Sequence, residues 1–141
     1  MQKILLLISF ILLLTVGCSQ QQNNTETPEH TKQITKVQIT CMAECKSMYP
    51  DQAEVQTFKD KETIELFATA IQNAVRMPGE MDYSILYEML VTYDDNTTDL
   101  YYLNVEKQKE NIGFLVNTSD THIGYSIPKE YNDKLSELLY K

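Results

Sequence analysis

Apolar residues follow three rhythms along the chain. Residues 4–16 form an unbroken apolar run in which only Ser9 and Thr15 are polar. Residues 19–33 contain no aliphatic or aromatic side chain. Beyond them the chain alternates strand and helix periods. Val37, Ile39 and Cys41 alternate with Gln38 and Thr40, the pattern of a strand with one buried face. Residues 55–58 are read as a second short strand. Asp60 is placed to cap a helix that begins at Lys61. Ile64, Phe67, Ile71 and Val75 then recur at helical spacing, with Ala68 and Ala74 on the same face. Pro78-Gly79 stops that helix.

Ile85, Tyr87, Met89, Val91 and Tyr93 alternate again, and residues 94–98 turn the chain. Residues 100–105 return as a strand, and Ile112, Phe114 and Val116 mark another. A turn at 117–120 leads to a strand at 121–127. Pro128 opens a last helix, whose buried face is Tyr131, Leu135, Leu138 and Leu139. Short links between consecutive strands imply antiparallel hairpins. The expected fold is α+β: a mainly antiparallel sheet with two helices packed on one face.

The N-terminal rhythms divide the chain into three. Lys3 and the run at 4–16 have the charge and length of a secretory signal, and the run is short of the roughly 20 apolar residues of a membrane span. The run ends Leu14-Thr15-Val16-Gly17-Cys18-Ser19, which resembles a bacterial lipobox. That resemblance implies cleavage after Gly17 and a diacylglyceryl group on Cys18. Residues 1–17 are therefore read as a lipoprotein signal peptide, 18–34 as the lipidated cysteine and tether, and 35–141 as a single α+β domain. The expected location is the cell membrane, lipid-anchored on its extracytoplasmic face. Fifteen flexible tether residues span roughly 20–25 Å, which keeps the domain close to the bilayer.

Charge narrows the partners. The chain has 141 residues with 12 basic and 20 acidic side chains; without residues 1–17 one lysine is lost and the net charge is −9. Nucleic acid is excluded as an expected partner, because phosphate neutralisation needs a basic face. Three Cys and two His are too few for a zinc ribbon or a His-rich metal site. The chain has no P-loop, GxGxxG, HExxH, GxSxG or CxxC motif, so no cofactor and no catalytic residue is expected.

A family resemblance rests on longer stretches. Residues 58–64 (FKDKETI) open the first helix, and Asp82-Tyr83 precedes the long strand. Residues 91–95 (VTYDD) are followed by Tyr101-Tyr102-Leu103, then 117–122 (NTSDTH), Tyr125-Ser126-Ile127 and 134–139 (KLSELL). Together these resemble the YhfM-like domain group of small Gram-positive lipoproteins, over residues 55–139. The turn carries Asn96 where that pattern would have Asp-Gly. The resemblance supports the fold and the location, and implies no catalytic residues.

Two clusters invite chemistry. Cys41 and Cys45 lie four residues apart, with Met42 and Met48 beside them. Three readings stand open: a disulfide, a soft-metal site for Cu(I) from two thiolates and two thioethers, or a buried Cys41 beside a loop thiol at Cys45. In a straight strand the two Cα atoms would lie ~13 Å apart, beyond disulfide reach, so bonding requires a turn or helix after Cys41. Tyr87, Tyr93, Tyr101, Tyr102 and Tyr125 all fall on expected strands, with Tyr101 and Tyr102 on opposite faces. They are read chiefly as packing residues, and otherwise as a contact patch for protein or glycan. Asp94-Asp95 are read as a solvated turn, and Asp120 as a turn residue beside His122 rather than half of a catalytic pair. The expected function is a non-catalytic, membrane-anchored domain that binds a protein or envelope ligand. The alternative is an extracytoplasmic thiol or Cu(I) handler using Cys41 and Cys45.

Overall fold

The computed structural model describes residues 32–79, 82–108 and 112–141. The expected signal peptide, Cys18 and most of the tether lie outside the described residues. Ten elements follow in the order β1 (Ile34–Cys41), α1 (Ala43–Met48), β2 (Val55–Phe58), α2 (Lys61–Gln72), β3 (Val75–Arg76), β4 (Tyr87–Tyr93), β5 (Thr98–Asn104), β6 (Gly113–Asn117), β7 (Gly124–Ile127) and α3 (Lys129–Leu139). The seven strands form one antiparallel sheet in the order β2-β1-β4-β5-β6-β7-β3. The class is α+β.

Alternation explains the register. Val37 pairs with Val91, Ile39 with Met89 and Cys41 with Tyr87. Tyr87 pairs with Leu103 and Met89 with Tyr101. These residues are all buried, and they share one core with Phe67 and Ala70 of α2 and Leu135 and Leu139 of α3. Burying such side chains is the main term favouring the fold, at ~1.5–3 kcal/mol for each large one. The opposite register positions run Gln38, Leu90, Leu100 across β1, β4 and β5. Tyr102 and Val116 pair on that same face.

Local chemistry sets the element ends. Asp60 caps α2 as expected, its carboxylate accepting the Thr63 N–H at 2.9 Å. The helix ends at Gln72 rather than at Pro78: the Asn73 side-chain amide donates to the Thr69 carbonyl, and the Ala74 N–H tightens onto the Ile71 carbonyl. Val75 then leaves the helix and pairs with Ser126 as an edge strand. The strand expected at 121–127 starts only at Gly124. Asp120 holds 121–123 in a turn, accepting the His122 N–H on its carboxylate and the Ile123 N–H on its carbonyl. In the β4–β5 turn Asn96 adopts φ 63°, the left-handed conformation that glycine otherwise supplies.

β1 begins at Ile34, and bonding into the domain starts earlier than residue 35. Gln33 accepts the Asp94 N–H, and Lys32 lies 2.9 Å from the Asp95 carboxylate. The chain thus enters the domain at the tip of the β4–β5 turn.

Candidate functional site

The cysteine cluster resolves into a staple. Cys41 ends β1, the chain bends at Met42, and α1 begins at Ala43. This strand-to-helix turn brings the Cys41 and Cys45 Cα atoms to 5.5 Å, and their sulfurs are bonded. Of the three readings, the structure takes the disulfide. Cys45 lies in a helix and is fully buried, so the loop-thiol reading of it is corrected. Met48 stands 47% exposed at the end of α1. Among the described residues no group of three or more His, Cys, Asp or Glu side chains is placed to hold a metal ion.

The staple organises one end of the domain. Tyr49 follows α1 and donates its N–H to the Cys45 carbonyl. Its ring lies 4.8 Å from that of Tyr140, which in turn lies 6.3 Å from Tyr87. The Tyr140 hydroxyl donates to the Val105 carbonyl at 2.7 Å. Burial, and then the Tyr87 hydroxyl, hold the Tyr140 phenol far above its ordinary range. Gln52 and Gln56 each donate a side-chain amide to the Leu139 carbonyl, satisfying an orphan acceptor at the end of α3. The sequence offered no period for α1, a single helical turn and a half, and this long-range cluster went unread.

The tyrosine patch is mostly core. Tyr87 and Tyr101 are buried, and Tyr93 and Tyr125 pack against the same cluster. Tyr93 donates its hydroxyl to Asp99 at 2.8 Å, and burial raises its phenol well above the ordinary range. Tyr102 alone of the five takes the opposite face, where Tyr83 packs on it and on Phe114 at 6.4 and 4.9 Å.

Concave surface lies elsewhere. A groove of about 610 Å³ runs between α2 and α3. Leu66, Tyr131 and Leu138 supply its apolar floor, and Glu62, Glu65 and Lys134 stand on its rim. A second hollow of about 590 Å³ lies where the chain enters, between Ile34, Tyr93 and the Ile64, Ala68 and Ile71 side of α2. The helical period found these helices. It assigned Leu138 and Tyr131 to a buried face, but both are only partly buried and look into the groove.

A family model described as YhfM protein matches residues 23–141. The chain belongs to the YhfM family. No curated protein and no solved structure matches it. The YhfM match takes in the disulfide, α1 and both hollows, and begins well before residue 55. Cys18 lies before it. Among the described residues of this YhfM chain no helix is long and apolar enough to cross a membrane.

Proposed function

We propose that the chain is an extracytoplasmic lipoprotein, held to the cell membrane by acyl chains on Cys18, whose domain binds a protein or envelope ligand without catalysing a reaction. The groove between α2 and α3 carries this reading, because it joins an apolar floor to a charged rim in a volume of about 610 Å³. We infer that α2 and α3 lie side by side on one face of the sheet, since Phe67, Ala70, Leu135 and Leu139 share one buried cluster with Met89 and Leu103. The entry of the chain at the β4–β5 turn supports a tether that joins the domain at that end.

The test is a photo-activated cross-linker at Thr69, inside the groove, in the membrane-anchored full chain. A discrete adduct from position 69, absent from a probe at edge residue Val55 and lost with Leu66→Asp, supports the reading. No adduct from the groove, with full signal from a control lipoprotein, contradicts it.

The second reading, Cu(I) handling by Cys41, Cys45, Met42 and Met48, requires the disulfide to be reduced first. It predicts that the reduced chain takes up one Cu(I) and that Cys45→Ser abolishes uptake. Uptake unchanged by that substitution rejects it.

A further inference from the structure

Arg76 is the only arginine of a strongly acidic chain, and the fold sets it beside His122. The two residues come from separate strands' ends. Arg76 is fixed on edge strand β3 by pairing with Tyr125, and Met77 continues the ladder by donating to the Gly124 carbonyl at 2.8 Å. Pro78 and Gly79 then turn the chain back, with Gly79 at φ 86°. His122 sits in the turn before β7, its backbone held by the Asp120 carboxylate. Between these two anchored turns lies a cleft of about 330 Å³, lined by Arg76, Met77, Pro78, Gly79, His122 and Ile123. Among the described residues no carboxylate lines it, although acidic residues outnumber basic ones 20 to 12 in the chain.

We infer that this cleft is a binding site for a phosphate group. A guanidinium presents paired donors that match a tetrahedral oxyanion, and an imidazole adds a further N–H. A cation left among carboxylates would be drawn into an ion pair; here Arg76 makes none among the described residues. At Gly79 no described atom beyond its chain neighbours lies within 4 Å of where a side chain would begin. The site is separate from the interhelical groove and from the disulfide, so it stands whether or not the groove binds a protein.

The single arginine makes the test direct, since the ¹⁵N-labelled full chain gives one arginine Nε–H signal. Titration with inorganic phosphate should shift that signal, and the Gly79 and Ile123 amides, along one saturable curve. Arg76→Gln should weaken the response of the Gly79 and Ile123 amides at least tenfold, and Arg76→Lys should restore part of it. A soluble short-chain phosphatidylglycerol that shifts the same signals at lower concentration identifies a lipid headgroup as the source. A response to inorganic phosphate alone identifies free phosphate, and either result supports the site. Non-saturable shifts, shifts matched by sodium chloride of equal ionic strength, or an equal response to acetate would overturn the proposal.

Discussion

Asn132 occupies the space that a side chain on Gly113 would need. A Cβ built on Gly113 runs into the Asn132 carboxamide oxygen and lies 3.1 Å from Ile127 Cβ. Asn132 is fully buried on α3 and Gly113 begins β6, so this close approach seats the last helix against the sheet. Gly113→Ala should destabilise the domain by ~1–3 kcal/mol, the cost of overpacking a filled site. Adding Asn132→Ala should recover part of that loss, and thermal unfolding of the two variants reads it. Equal additive losses would show that the two residues do not compete for space.

The disulfide closes a loop of few residues, so its contribution is modest. Replacing Cys41 and Cys45 by alanine together should cost about 2 kcal/mol in the loop-entropy estimate. The effect should be local. Hydrogen exchange should quicken over α1 and at Gln52, whose side chain caps the Leu139 carbonyl. Exchange that rises uniformly across all seven strands would mean that the bond governs the whole sheet.

Alkali should unfold the domain cooperatively. Burial raises the phenols of Tyr87, Tyr93, Tyr101 and Tyr140 above the ordinary 10.0. A raised folded value means that stability is fully present below pH 10 and is lost as pH climbs above it. Absorbance at 295 nm should show these four phenols ionising only with unfolding. A single smooth titration of all nine without loss of circular dichroism would contradict the burial.

Acid acts through the caps. The Thr63 backbone N–H holds the Asp60 carboxyl below its ordinary 3.8, and the Thr97 hydroxyl does so for Asp95, joined by Lys32. Lowered folded values contribute stability above that pH which is lost as pH falls. Asp60→Asn should keep the cap and remove part of the dependence below pH 4; Asp60→Ala should lower the melting temperature at neutral pH as well. Melting curves from pH 2 to 7 decide, and identical pH profiles for wild type and Asp60→Asn would count against the cap.

The elements legible in the sequence were those with a repeating period. Alternation at Val37, Ile39 and Cys41, and at Tyr87, Met89 and Val91, fixed both strands and their buried face. Asp60 marked the start of α2, and the acidic turn at Asp94-Asp95 marked a hairpin. What escaped had no period to read. α1 is six residues long, and β3 is two. Each is held by a contact that no repeat announces: Cys41 with Cys45 across a bend, and Val75 with the distant Ser126 across the sheet edge. The grooves were illegible for the same reason, since Leu66 and Leu138 lie on separate helices whose approach no local pattern encodes.

The intact mass of the chain purified from its native membrane, with and without thiol alkylation, tests the central claim most directly. An anchored, stapled domain predicts a mass for residues 18–141 plus a diacylglyceryl group, with Cys41 and Cys45 alkylated only after reduction. An unlipidated chain whose Cys41 and Cys45 alkylate without reductant would contradict both the anchor and the staple.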